Sequence, residues 1–569
     1  MPWAEEVGSM TYDLTILVLH QPDPASDLPI WKGPSTTFGE KMATIRSWMQ
    51  ECRQHVECKP VPFAPRRLLS VGLDGTPPRL VERSSTIISS EYAALSYCWG
   101  DCLPLRTTQA TLSFLCERIP LELMPKTFVD AIQIARSLQI PYLWIDALCI
   151  VQDEEQEWQE EAAAMADIYR GSVLNITAAD STDSSQGCFP APPPRSPGGR
   201  DDGVDIHDGL FFRVRLPPAR KCADSGAGDG GDLLAVRIHP RDVRSRATSD
   251  SAVSQRGWTL QERLLSQRVV YCMSASSDMH WQCRAAYQTE TGMAFPTVGS
   301  VGSNTASLGL AGPAQWRNIV RLYSFREFTY PQDRIPAMAG ITRYFAAQLD
   351  DTPLLGLWSR SFAADLAWLR GGGEPQLMDV GGLPSWTWLA CRGSVLYTMG
   401  SRYDEESMRV DAGMFRLVDW EVEWKGVAYT SPVKRAWARV QGLAREIRIR
   451  PSEAGNRYIP PYFEVFDEEL ELKAVADTAG NTTKIPWRCA GRFDGGDRLE
   501  EATYLCMLLF LEREDDSGRA KEVFLILEPA ENSSGRSGEP CYRRVGLARI
   551  WEGEAPAFEF AKSMSLVLV

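Results

Sequence analysis

Between residues 90 and 180 the hydrophobic pattern switches period four times, and this alternation limits the fold more than any other feature of the chain. The run from Tyr92 to Gly100 is short and apolar and ends in Trp99-Gly100, which predicts a strand entering a tight turn. Pro125 suits the first turn of a helix, and Phe128, Ala131, Ile132, Ala135 and Leu138 then fall on one helical face. From Tyr142 to Ile150 both alternating sets are apolar except at Asp146, the pattern of a strand covered on both faces in a parallel sheet. The next segment places Trp158, Ala162, Met165 and Tyr169 on one helical stripe closed by Gly171, and Val173 to Asp180 predicts a further strand. Strand, helix, strand, helix, strand specifies an α/β domain with a doubly wound parallel sheet.

The rest of the chain is read around this unit. Residues 1–85 form an N-terminal arm, with a helix expected from Thr36 to Cys52. The α/β domain spans 86–290 and carries a Pro/Gly/Asp-rich variable insertion at about 185–250. Within the insertion, Phe211–Leu216 and Leu233–Ile238 predict two hairpin strands. Arg256 to Cys272 then predicts a short helix leading into a strand. Residues 305–375 are helical in pattern. Residues 376–569 are β-rich, with strands in Pro384 to Ala390, Val418 to Val427, Ala436 to Arg450, Tyr504 to Glu514, Glu522 to Pro529 and Arg543 to Trp551. An antiparallel sandwich or barrel-like packing is expected there.

Composition narrows the function classes. A formal charge of -14 disfavours non-specific binding to nucleic acid or anionic membrane, so no nucleic-acid partner is expected. No run approaches the roughly 20 apolar residues of a membrane span. The first residues are acidic and lack the basic, apolar plan of a signal peptide. The 14 Cys are scattered without a CxxC pair, so an intracellular, cytoplasmic protein with reduced thiols is expected. With 5 His, none close to another, no zinc-ligand spacing is read and no metal is assigned. P-loop, GxGxxG, HExxH and GxSxG motifs are absent.

Three blocks resemble the fungal heterokaryon-incompatibility (HET) domain. They are Tyr92-Ala-Ala-Leu-Ser-Tyr-Cys-Trp-Gly100; Pro125 to Ile132, continuing through Tyr142 to Asp153, Tyr169 and the strand from Leu174; and Arg256-Gly-Trp-Thr-Leu-Gln-Glu-Arg-Leu-Leu-Ser266. The resemblance implies a part in self/non-self recognition and in the programmed cell death that follows incompatible fusion. The HET domain is in turn similar to TIR domains, which have flavodoxin-like sheets and several of which cleave NAD at the nicotinamide-ribose bond. Trp258 to Glu262 resembles the TIR helix that carries a Trp and a catalytic Glu four residues apart. Two functions follow as alternatives. One is NAD hydrolysis, with NAD as substrate and no bound cofactor assigned. The other is a non-enzymatic signalling or assembly module that works through contacts with other proteins or with itself.

Glu262 is the candidate catalytic residue. Breaking a nicotinamide-ribose bond builds oxocarbenium character, which a carboxylate at the anomeric carbon stabilises or attacks. The other reading is a helix-surface Glu paired with Arg256 or Arg263. Trp258 shares its helical face, and Gln261 adjoins it. Asp146, Gln152 and Asp153 lie at or just past the end of a strand, where open α/β sheets form a ligand crevice. For Asp146 two readings stand: a ribose or base contact, and a buried hydrogen bond or ion pair to an Arg. Tyr97 and Trp99 end the first strand at the same edge, and Gly100 allows close backbone approach. Trp144, Trp158, Met165 and Tyr169 are read as packing only.

Overall fold

The computed structural model describes residues 15–19, 35, 37–59, 61–83, 91–100, 105–191, 210–215, 233–239, 247–274, 278–291, 294–296, 312–371, 382–397, 408–409, 413–451, 462–466, 487–494, 502–513, 520–530, 539–552 and 556–569. Of the insertion expected at 185–250, residues 192–209, 216–232 and 240–246 lie outside this set. The chain divides into two compact units, Met1–Trp158 with Asp167–Gly309 and Gln159–Ala166 with Leu310–Val569.

In the first unit, α1 (Phe38–Cys52) starts at a capping box. Thr37 Oγ1 accepts from the Glu40 N–H, and the Glu40 carboxylate accepts from the Thr37 N–H, both at 3.3 Å. Met42, Ile45, Trp48, Met49 and Cys52 form its buried stripe. The strands are β1 (Thr15–Leu19), β2 (Arg67–Ser70), β3 (Arg79–Glu82), β4 (Tyr92–Ser96), β5 (Tyr142–Trp144), β6 (Leu174–Ala178), β7 (Leu210–Arg215), β8 (Leu233–His239), β9 (Arg268–Cys272), β10 (His280–Cys283), β11 (Ala286–Thr289) and β12 (Ala294–Pro296). Nine of them form one mixed sheet in the order β12-β11-β10-β9-β6-β4-β5-β2-β3. The central four, β5-β4-β6-β9, are parallel, and the strands outside them pair antiparallel. Inside the insertion β7 and β8 pair antiparallel, and β1 adds to β8 from more than two hundred residues upstream.

Helices connect the parallel strands. α2 (Lys126–Ser137) follows Pro125 and buries Phe128, Ala131, Ile132 and Ala135. α3 (Glu155–Gly171) returns the chain past β4 to β6, and α4 (Trp258–Leu265) leads on to β9. The connections therefore run to one side of β4 and then reverse, so the reversal lies between β4 and β6. Every residue of β4 and β6 is buried, as expected for central strands covered on both faces.

The expected strand from Tyr142 to Ile150 is corrected. β5 stops at Trp144, and Asp146–Cys149 is one helical turn. The Asp146 carboxylate accepts from the Ala147 N–H at 2.7 Å, a local bond that competes with the sheet ladder.

The second unit holds α5 (Pro313–Ser324) and α6 (Pro336–Leu349), with Trp316, Ile319, Tyr323, Ile341 and Phe345 buried. Its main sheet is antiparallel through most of its pairings. Strand Val433–Pro451 pairs with Phe415–Trp424, Tyr462–Phe466, Ala502–Arg513 and Lys562–Leu568. Through Trp487–Phe493, Cys541–Glu552 and Ala520–Pro529 the ladder returns to Ala502–Arg513, which closes a ring of six strands. Closure removes edges that two stacked sheets would leave open. Alternate residues, including Ile447 and Ile449, Tyr504, Cys506 and Leu508, and Phe524 and Ile526, fill one core. The expected strand at Pro384 to Ala390 is instead a 3₁₀ turn over Trp388–Ala390, capped by Thr387.

Candidate functional site

Polar side chains gather at the carboxyl ends of the central parallel strands. β4 ends at Ser96, whose Oγ lies 3.1 Å from Asn175 Oδ1 on β6, so this contact bridges the two strands where the connections reverse. The same hydroxyl donates to Glu262 Oε2 on α4. The Tyr169 hydroxyl, from the end of α3, donates to Leu95 O at 3.0 Å and also bonds the Glu262 carboxyl. Two residues past β5, Asp146 Oδ2 accepts from Trp99 Nε1 at 2.9 Å. Arg256 donates to Tyr97 O, and its charge acts on both carboxyls.

The electrostatics follow from burial. Glu262 retains 5% of its surface. Desolvation pushes its carboxyl up to about 7, against the hydrogen bond from Ser96 and the charge of Arg256, while the charge of Asp146 adds to the rise. Burial likewise raises Asp146, with Arg256 and the Trp99 N–H opposing. The phenols of Tyr97 and Tyr169 are held well above their usual range, first by burial and then by the neighbouring carboxylates. At neutral pH the site therefore holds a carboxyl near its midpoint beside a second carboxyl and one guanidinium.

The sequence candidates divide accordingly. Glu262, Asp146, Tyr97 and Trp99 lie in this one region. Trp258 is half-buried and packs edge-on against Trp158 at 6.2 Å. Gln261 is fully buried. Gln152 and Asp153 hold loops: Gln152 Nε2 donates to Asp146 O and Ile150 O, each at 3.1 Å, and Asp153 accepts from the Gln109 N–H at 2.9 Å. Gly100 has φ +75°, and a Cβ there would lie 2.2 Å from Asp183 Cβ. The close approach that this glycine permits is that of the chain's own segment at Asp183.

Reading Tyr169 as packing alone is corrected, because its ring packs on Trp144 at 5.6 Å while its hydroxyl reaches Leu95 and Glu262. Asn175 and Ser96 complete the network. A polar Asn in the middle of an apolar strand is the signal that marks Asn175.

A second cluster was not read from spacing. Cys52, His55 and Cys58 follow one another at three-residue intervals, and Cys283 at the end of β10 joins them. Their ligand atoms all lie within 4.8 Å of one another.

A mixed sheet with four central parallel strands, and buried polar groups collected where its connections reverse, defines an α/β domain. Residues 92–262 match the family model described as Heterokaryon incompatibility protein (HET), and the chain is a HET-domain protein over that span. The match begins at the first residue of β4 and ends at Glu262. No curated protein and no solved structure matches the chain. Among the described residues no helix is long and apolar enough to cross a membrane.

Proposed function

We propose that this chain serves heterokaryon incompatibility as a non-enzymatic signalling or assembly module, acting in self/non-self recognition and cell death through protein contacts of its HET domain. The burial of Glu262 carries this reading. A carboxylate that attacks or stabilises an anomeric carbon must touch it. Glu262, 5% exposed and bonded by Ser96 and Tyr169, instead ties β4, α3 and α4 together.

NAD cleavage is the second reading, and the placement of Glu262 favours it. The parallel order β5-β4-β6-β9 is that of the first four strands of a flavodoxin-like sheet, whose ligands bind at the reversal. The helix after the third parallel strand carries Glu262 to that point. A carboxyl near 7 is also suited to proton transfer at neutral pH.

Release of nicotinamide from NAD by the purified full chain, measured at dilute and at self-associating concentrations, separates the two. No release is expected, and growth arrest on induced expression should persist in Glu262→Gln at equal protein level. Nicotinamide release that falls about a thousandfold or more in Glu262→Gln would establish the enzymatic reading instead.

A further inference from the structure

The Cys52, His55, Cys58 and Cys283 cluster lies apart from the Glu262 network and takes no part in it. It is built by two segments far apart in the chain. α1 ends at Cys52, the chain turns with the His55 N–H donating to Cys52 O at 3.1 Å, and a 3₁₀ turn over Val56–Cys58 brings back the second thiol. Cys283 closes β10, and Trp281 on that strand packs against Trp48 of α1 with ring centroids 6.0 Å apart. Cys52 and Cys58 are each 1% exposed and Cys283 3%. Among the described residues the cysteines are thiols, not disulfides.

We propose that these four residues form a structural zinc site of Cys3His type that fastens the segment after α1 to the end of β10 in the mixed sheet.

The distances fit. Tetrahedral zinc with Zn–S of about 2.3 Å and Zn–N of about 2.0 Å has nitrogen–sulfur edges of about 3.5 Å. His55 Nδ1 lies 3.5 Å from Cys283 Sγ and 3.8 Å from Cys58 Sγ. Buried thiols packed only as small hydrophobes have no need of an imidazole nitrogen aimed among them. The donor set is soft, without a carboxylate, which selects zinc over calcium or magnesium. Four protein ligands leave no open position, so the metal's part is structural.

The surroundings supply what such a site needs. Three thiolates and one Zn²⁺ carry a net charge of −1, and the buried Arg268 guanidinium compensates it. Its Nε lies 3.2 Å from Cys52 Sγ, and its Nη2 donates to Cys58 O at 2.9 Å. The Ala286 N–H donates to Cys283 Sγ at 3.3 Å across the turn after β10, which fixes the direction of that ligand. A cavity of about 220 Å³, lined by Arg53, Gln54, His55, Cys58, Lys59 and Arg268, gives an entry path. Binding replaces the protons of the three thiols with the metal and oxidises nothing.

Zinc released from the full chain, purified in reductant without chelator, should reach one equivalent per chain. Cys283→Ser should lower it to less than a tenth of that, whereas His55→Cys, which keeps four soft ligands, should retain it. Cobalt exchanged into the protein should show the visible d–d bands and thiolate charge-transfer absorption of a tetrahedral site. If Cys283→Ser does not accumulate in folded form, the cobalt spectrum of the wild-type chain and the zinc content of His55→Cys decide the matter. A reduced wild-type chain that holds neither zinc nor tetrahedral cobalt overturns the proposal. So do peptide maps that join Cys283 to Cys52 or Cys58 by a native disulfide, or zinc that persists undiminished in Cys283→Ser.

Discussion

Buried charge is arranged differently in the closed antiparallel sheet and at the carboxyl ends of the parallel strands. In the antiparallel sheet each buried carboxylate has its own partners. Asp494 accepts from Arg544 at 2.9 and 3.2 Å, and the remaining guanidinium N–H groups donate to Leu366 O and Trp368 O, each at 2.6 Å. Glu522 accepts from the backbone N–H groups of Ala557 and Phe558 at 2.7 and 3.1 Å. Near Ser96, by contrast, the charge of Asp146 raises the proton affinity of Glu262, and both carboxyls draw on Arg256. One-to-one pairing is what stability alone requires of a buried ion. Two carboxyls drawing on one cation leave a proton affinity tuned into the physiological range, an arrangement common at functional sites.

Removing one half of a matched pair is the harshest test of this contrast. Asp494→Ala strands a guanidinium whose side chain is 0% exposed, and it should destabilise the C-terminal unit by about 3–5 kcal/mol. Hydrogen exchange should report this as faster exchange of the amides at Phe524–Leu527. A loss below about 1 kcal/mol would mean that the pair is not what secures that core.

A smaller effect is expected from pH. The folded state holds the Glu262 proton to about pH 7, whereas the unfolded chain releases it near 4.5. Between those values the folded protein binds more protons. The stability linked to this group is therefore fully present below about pH 4.5 and is lost as pH rises to about 7. At most about 3 kcal/mol is involved. The stability difference between wild type and Glu262→Gln, followed by urea unfolding from pH 4.5 to 7.5, should carry this slope. A flat difference would place Glu262 with the matched pairs.

Ser96→Ala is expected to have the smallest effect, about 1–2 kcal/mol, because it removes one hydroxyl from the contact between β4 and β6. It should also raise the Glu262 proton affinity further, since that hydroxyl favours the ionised form. A carbon-13 titration of the Glu262 carboxyl measures this shift. A shift downward would contradict the assignment of Ser96 as donor.

Much of the architecture was legible in periodicity. The helical spacing of Phe128, Ala131, Ile132 and Ala135 and the continuous apolar runs at Tyr92–Ser96 and Leu174–Ala178 are direct consequences of one-faced and two-faced burial. Where β5 stops was not legible, because Ile145 to Val151 is apolar apart from Asp146, and such a run has no period to tell a strand from a helical turn. Trp388 was misread for a related reason: aromatic residues favour strands on average, but Thr387 caps a 3₁₀ turn there.

The site was legible in part. Asp146 and Glu262 were visible as carboxylates in apolar or motif-bearing surroundings. The burial of Glu262 was not, because α4 is amphipathic in sequence yet buried at every position from Thr259 to Leu265. The hydroxyl of Tyr169 was hidden by a core spacing that its ring does satisfy. The three-residue rhythm of Cys52, His55 and Cys58 stood in the sequence, but its fourth member comes from β10, which only the sheet order brings close.

The insertion between β6 and α4 bears on how such chains diversify. β6 ends at Ala178 and α4 starts only at Trp258, yet β6 pairs directly with β9, so the third and fourth parallel strands are neighbours across this long excursion. The entropy of closing such an excursion grows only with the logarithm of its length, about 0.6 kcal/mol for each doubling. A change of length between Ala191 and Ala247 therefore costs the scaffold little, whereas the ends of the excursion, with Asp183 against Gly100 and Arg256 in the polar cluster, are tied to it. Two individuals could carry the same sheet and the same polar cluster while differing widely here, so this stretch is where divergence between alleles is cheapest.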